Sequence, residues 1–163
     1  PALCEQVIQS VRDNCDLPVL AKLTPNVTSV VEIAEGAAKG GADAVCLTNT
    51  LLGMAIDWKK RRPILGNDMG GLSGAAIKPV SLRCVFQVAA AVDIPIVGIG
   101  GIANLDDVMQ FLVAGASAVQ IGTANYYAPT ITMKLLDQLP GALNEIGASS
   151  ISEIVGTVKS NKS

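Results

Sequence analysis

The chain has 163 residues, a formal net charge of −2 and no histidine, and it is 50% hydrophobic but only 3% aromatic. That length suits one domain with a real core, and 16 glycines amid alanine, valine and isoleucine suit buried parallel strands alternating with helices. Without histidine there is no Ser-His-Asp triad, no His-ligated zinc and no imidazole base, and a pI near 5.0 with scattered basic residues gives no nucleic-acid footprint.

No apolar run reaches the roughly 18 residues that span a bilayer, because Asp93, Asn104 and Asp106 bracket the most apolar stretch. The chain opens without a basic region leading into an apolar segment, so a cytoplasmic protein without a signal peptide is expected. Cys4, Cys15, Cys46 and Cys84 form neither a CxxC pair nor a metal-ligand spacing. They are expected to be reduced, buried, small apolar side chains.

Residues 3–11 carry apolar side chains at helical spacing (Leu3, Val7, Ile8, Val11). Residues 16–18 break the pattern, and 19–23 run apolar, a helix feeding a short strand. Residues 27–38 predict a second helix, with Asn26 or Thr28 as N-cap and Gly40-Gly41 as the stop, before strand 44–47 runs into Thr48-Asn49-Thr50. From 51 to 74 the rhythm fails. Ile56-Asp57-Trp58 and Pro63-Ile64-Leu65 flank the basic cluster Lys59, Lys60, Arg61 and Arg62, and glycines follow at 66, 70, 71 and 74, which predicts a hairpin and glycine loop inserted after a strand. Helix 79–92, strand 94–99, helix 105–114, strand 118–121 and helix 130–146 restore the alternation. An amphipathic piece, 151–158, leads into Lys159, Lys162 and a polar tail.

About four short parallel strands, apolar on successive residues and alternating with helices, indicate an α/β fold whose sheet is covered on its faces. Polar or glycine-rich signals stand at the carboxyl ends of these strands, where α/β folds hold ligands. Four strand-helix units are half of a (β/α)8 TIM barrel, and a full barrel typically takes about 250 residues. The chain is therefore expected to form either an open sheet or a barrel without its front half.

The run Val97-Gly98-Ile99-Gly100-Gly101-Ile102-Ala103-Asn104 leaves a strand and opens a helix. Its glycines would let backbone amides approach a phosphate, with the helix adding its positive end. A tight turn with Asn104 as N-cap and Asp106 and Asp107 in the first helical turn explains the same residues. The run fits GxGxxA, but no acidic residue follows about twenty positions on, so dinucleotide binding is not expected. A second glycine turn, Gln120-Ile121-Gly122-Thr123-Ala124, follows the next strand. Two such turns on the last two strands favour a phosphate site, since barrels commonly build one from the loops after strands seven and eight. Lys22 lies in the otherwise apolar strand Val19-Leu20-Ala21-Lys22-Leu23, where its charge needs either a partner or a position at the strand mouth. Asn49 offers a planar amide suited to a carboxylate or imide edge.

Taken in order, Pro18-Val19-Leu20-Ala21-Lys22-Leu23-Thr24-Pro25-Asn26, Asn49-Thr50-Leu51, Gly70-Gly71-Leu72-Ser73-Gly74, the glycine turn at 98 to 101 and Gly122-Thr123-Ala124-Asn125 resemble the C-terminal half of dihydroorotate dehydrogenase. The resemblance covers nearly the whole chain. Ile56-Asp57-Trp58-Lys59 to Pro63-Ile64-Leu65, with Ala76-Ile77-Lys78-Pro79-Val80, is more similar to the class 1B catalytic subunit than to class 2 enzymes or dihydropyrimidine dehydrogenase. It implies that residues 1–163 are a single C-terminal segment of an FMN-binding TIM barrel, lacking the N-terminal half, that oxidises dihydroorotate to orotate in pyrimidine biosynthesis. Lys22 would then contact the flavin ring near N1 and O2. Asn49 and Thr50 would hold the substrate, and Thr48 would line the cofactor site. Gly70 and Gly71 would lie against the flavin or its ribityl chain, and Gly100, Gly101, Gly122 and Thr123 would hold the phosphate. Electrons would leave through a partner subunit carrying FAD and an iron-sulfur cluster to NAD.

The same resemblance places the catalytic cysteine base on a loop preceding the portion present, so no catalytic residue is assigned in this chain and the isolated segment is expected to be inactive. A thiol base must reach its proton at roughly 2.6–3.2 Å or through one water, and none of the four cysteines is placed for that. Two other readings stay open: another dihydropyrimidine-type flavin dehydrogenase, and a non-catalytic phosphate-binding half-barrel that dimerises, because four strands leave two edges to be covered by the missing half or by a homo-oligomer. The cluster Lys59 to Arg62 is expected to be a solvated tip rather than an anion patch.

Overall fold

The computed structural model describes residues 1–161; Lys162 and the last residue of the polar tail lie outside the described residues. The elements follow in order as α1 (Ala2–Arg12), β1 (Leu20–Leu23), α2 (Val30–Lys39), β2 (Ala44–Leu47), β3 (Leu51–Met54), β4 (Ile56–Asp57), β5 (Arg62–Pro63), β6 (Met69–Leu72), α3 (Lys78–Ala89), β7 (Ile96–Ile99), α4 (Leu105–Ala114), β8 (Ala118–Gln120), α5 (Ala124–Tyr127) and α6 (Ile131–Glu145). Single 3-10 turns at Ala75–Ile77 and Ile151–Glu153 complete them.

β1, β2, β7 and β8 form one parallel sheet in that spatial order, with Lys22, Cys46, Val97 and Ala118 in register across it. Helices α2, α3 and α4 connect and cover these strands, the alternation of a partial (β/α)8 barrel. Successive strand residues point to opposite faces. Ala21, Leu23, Val45, Leu47 and Ile96 therefore meet the helices, where Ala34, Val85, Val88 and Phe111 bury completely or nearly so. This layer is the core.

The other face is the inner face of the barrel arc, and it is uncovered at the sheet edges. β2 is buried at all four positions, whereas β1 alternates exposed and buried. Of the two positions open to Lys22, the structure shows the solvated one: β1 stands at the sheet edge among the described residues, and Lys22 is exposed on its inner face. Water solvates its ammonium, so no carboxylate from this chain is needed.

Local chemistry moves other boundaries. α2 is capped by Ser29, whose hydroxyl accepts from the Glu32 amide at 3.3 Å, and not by Asn26 or Thr28. Asn26 is engaged elsewhere. Its amide nitrogen donates to the Thr50 carbonyl at 2.9 Å and its oxygen accepts from the Leu52 amide at 2.9 Å, tying β1's following loop to the segment after β2. The expected hairpin is two antiparallel ribbons, β3 with β6 and β4 with β5. Lys59, Lys60, Arg61 and Arg62 sit exposed at the tip of the shorter one, where Lys60 pairs with Asp57 at 3.4 Å. Beyond the 3-10 turn at 151, the chain does not continue as a helix. The Gly156 and Val158 amides instead donate to the Leu112 and Val113 carbonyls at the end of α4. Of the cysteines, Cys46 and Cys84 are buried and Cys4 and Cys15 only partly so; all four are free thiols.

Candidate functional site

The carboxyl ends of β1, β2, β7 and β8 open into one cavity of about 160 Å³. That is below the roughly 300–1,000 Å³ that encloses a whole drug-sized ligand, so it suits one polar group of a ligand. Lys22, Thr48, Asn49, Thr50, Gly100, Gly101, Gly122 and Thr123 all line it. Eight of the ten residues singled out in the sequence thus meet at one place. Gly70 and Gly71 do not line it; they lie on β6, where a Cβ on Gly71 would strike the Thr50 side chain. The same segment reaches the cavity two residues later, through Ser73 and Gly74.

The β2 end is held from both sides. The Thr48 amide donates to the Ile99 carbonyl at 2.8 Å and the Asn49 amide to the Leu23 carbonyl at 2.8 Å, which extends the sheet past its regular strands. Thr48 is buried and its hydroxyl is shared with Ser81 of α3 at 3.0 Å. One of its hydrogen bonds is thus made within the scaffold. Asn49 remains exposed, with its oxygen accepting from the Thr50 amide at 2.9 Å and its amide nitrogen directed to no partner among the described residues.

At the β7 end, Gly100 and Gly101 have φ of +130° and +77°, a region that strains residues with a Cβ. A Cβ on Gly100 would collide with Ser81, and one on Gly101 would lie 2.7 Å from the Lys78 Cβ and 2.9 Å from the Gly74 carbonyl. The turn therefore packs directly against the start of α3. Among the described residues, none accepts a hydrogen bond from the amides of Gly100, Gly101, Gly122 or Thr123. Free amides on two neighbouring strand ends are the donor type that can receive an anion. Gly122 has open space where a Cβ would stand, and the Thr123 hydroxyl donates to Ser73 at 3.1 Å, closing the cavity's far side.

The N-terminus of α4 carries the expected cap. Asn104 is indeed its N-cap, in a reciprocal capping box with Asp107. The Asp107 carboxylate accepts from the Ala103 amide at 2.8 Å and the Asn104 amide at 3.2 Å, so the positive end of this helix already has its own anion. The glycine turn beside it presents free donors of its own. Sequence reasoning missed Ser73, Ser81 and Tyr127. Ser73 stands inside the run Gly70-Gly71-Leu72-Ser73-Gly74, whereas a serine on α3 and a tyrosine after β8 carry no local signal.

Burial raises the thiol pKa of Cys46, with Lys22 opposing the shift, and burial likewise raises that of Cys84. Neither is poised to ionise near neutral pH. Among the described residues no group of three or more His, Cys, Asp and Glu side chains is placed to hold a metal ion, and no helix is long and apolar enough to cross a membrane.

Comparison of the sequence with known proteins points to one family. The family model described as Dihydroorotate dehydrogenase matches residues 1–143. Proteins named dihydroorotate dehydrogenase B (NAD(+)), catalytic subunit, are similar throughout: 51% identical over 154 residues in Bacteroides fragilis, covering 94% of this chain and 51% of that protein. The values are 52% over 156 residues in Alkaliphilus oremlandii, covering 96% and 52%, and 48% over 156 residues in Halalkalibacterium halodurans, covering 96% and 51%. The chain spans about half the length of these curated relatives. With a matched family model over most of its length and a partial barrel that gathers the expected strand ends, the chain belongs to the dihydroorotate dehydrogenase family.

Proposed function

We propose that residues 1–163 form the C-terminal, phosphate-holding half of a (β/α)8 barrel that uses FMN to oxidise dihydroorotate to orotate in pyrimidine biosynthesis. The observation that carries this reading is the convergence of free amides from two consecutive strand ends on the cavity that also holds Lys22, Asn49 and Thr50. The donor set suits the proposed group, since neutral amides and one solvated ammonium match a phosphate dianion and an electron-rich ring.

In this reading Gly100, Gly101, Gly122 and Thr123 hold the phosphate through their amides. Lys22 places its charge beside the ring system, where it favours negative charge on the nearby atoms. Asn49 and Thr50 orient the dihydropyrimidine from the other rim. Thr48 acts by its position, because its hydroxyl is bound to Ser81, and Gly70 and Gly71 keep the β6 ribbon close to Thr50. When bound, FMN supplies the acceptor for the electron pair that leaves the substrate. In this reading no residue of this chain takes the substrate's proton, and burial, which raises the pKa of the Cys46 and Cys84 thiols, disfavours them for that role. The base belongs to the other half of the barrel, which covers the open inner face, or a second copy does so without restoring activity. The relatives' naming as a catalytic subunit of an NAD(+)-linked enzyme supports a partner subunit that takes the electrons on, and FAD and an iron-sulfur cluster are assigned to it.

The test is titration of the purified chain with FMN and riboflavin, read by flavin fluorescence. FMN is expected to bind at least tenfold tighter than riboflavin, and Lys22→Ala to weaken both, by roughly tenfold or more for one lost charged contact of about 1.5–3 kcal/mol. Equal affinities overturn the phosphate assignment. Stopped-flow mixing of the FMN-loaded chain with dihydroorotate is expected to leave the flavin absorbance unchanged, and bleaching would show that a base is present after all.

A further inference from the structure

Asp107 is buried, yet it is a carboxylate that accepts from the amides of Ala103 and Asn104, which directly follow the turn proposed to hold an anion. Its charge is met by Lys78, the first residue of α3, whose ammonium pairs with Asp107 Oδ1 while Oδ2 takes the Ala103 and Asn104 amides. Neither Lys78 nor Asp107 lines the cavity. Both are nevertheless built into its wall: Gly101 packs against the Lys78 backbone and Cβ, and the segment that leads into Lys78 is joined to Thr123 through Ser73. The pair thus bolts the start of α3 to the start of α4, with the Gly100-Gly101 turn clamped between them.

We propose that Lys78 and Asp107 are positioning residues for the anion cradle: the pair holds the 100–104 turn so that the Gly100 and Gly101 amides face the cavity, and it cancels the carboxylate that would otherwise repel a phosphate there. The inference rests on the phosphate reading above and adds to it two residues that touch no ligand. Two effects are separable. A purely electrostatic role makes removal of the Asp107 charge favourable to an anion, because it leaves Lys78 unneutralised. A positioning role makes the same change unfavourable, since an asparagine amide has one oxygen acceptor where the carboxylate has two, and it loses the ion pair that anchors α3.

The experiment compares the dissociation constants of FMN and riboflavin, with inorganic phosphate as competitor, for the full chain and for Lys78→Met, Lys78→Arg and Asp107→Asn. Lys78→Met and Asp107→Asn are expected to weaken FMN at least tenfold while changing riboflavin by less than threefold, and Lys78→Arg to keep the native preference. Inorganic phosphate is expected to displace FMN from the native chain and to compete less well in the two weakened variants. Parallel loss of both flavins would reduce the pair to a general structural role and overturn the proposal, as would tighter FMN binding by Asp107→Asn. If Lys78→Met fails to fold, Asp107→Asn and Lys78→Arg decide by the same ratio. A native chain that binds FMN and riboflavin alike sinks the phosphate reading itself, whereas a native preference that survives in Lys78→Met and Asp107→Asn sinks only the role of the pair.

Discussion

Asp43 shows how one exposed side chain can organise a strand entry. Its carboxylate accepts from the Val19 amide at 2.7 Å and pairs with Arg12, whose Nε also donates to the Gly41 carbonyl at 3.1 Å. The Val19 amide first, and then Arg12, hold the Asp43 pKa below its ordinary value. A carboxylate with a depressed folded pKa stabilises fully above its unfolded value and loses that contribution as pH falls through the folded one. Asp43→Asn is therefore expected to melt lower than the native chain at pH 7, with the gap closing below about pH 3.9, as followed by thermal unfolding across that range. Surface screening keeps the effect small. The carboxylate and its arginine lie 31 residues apart, which no local pattern in the sequence reveals. Lys22, by contrast, was conspicuous as a charge in an apolar strand, and only the sheet order shows that it faces an open side.

At the scale of elements, the glycines of the β7 turn divide by what their missing Cβ permits. Gly98 sits on the helix face, where a Cβ would approach the Phe111 ring to 2.5 Å, while Gly100 and Gly101 need positive φ and close approach to α3. Gly98→Ala is expected to cost about 1–3 kcal/mol of stability through overpacking, measured by urea unfolding, and Phe111→Leu in the same chain to recover part of it. The switch to positive φ at Gly100 thus separates the packing glycine of the strand from the glycines of the turn. The start of helix α4 was readable because Asn104 and Asp107 are local cap signals. The start of α2 was not, since Asn26 has the right chemistry for a cap but is drawn away by the β2–β3 segment.

For the whole molecule, β1 and β8 each lack a neighbouring strand on their outer side among the described residues. Beside β1 runs a groove of about 520 Å³ lined by Leu3, Val7, Ile8, Leu23 and Ile33, and Leu3 and Leu20 are 74% and 48% exposed. Unpaired parallel edges flanked by apolar side chains recruit further strands. In sedimentation velocity the isolated chain is expected to populate species heavier than its 16.7 kDa at micromolar concentration, and Leu20→Lys to shift it toward monomer. A strictly monomeric native chain would show that these edges are protected in solution.

Periodicity, caps and glycine turns determined the order and type of the main helices and strands, because those signals act within a few residues and need no distant partner. They also marked most of the cavity, since ligand-facing residues fall at strand ends. Only the tertiary structure decided that Lys22 is exposed, that Thr48 hydrogen-bonds Ser81 and that Asp107, behind the glycine turn, pairs with Lys78. Each of those outcomes depends on which element lies alongside, and a contact between segments tens of residues apart leaves no mark on either segment alone.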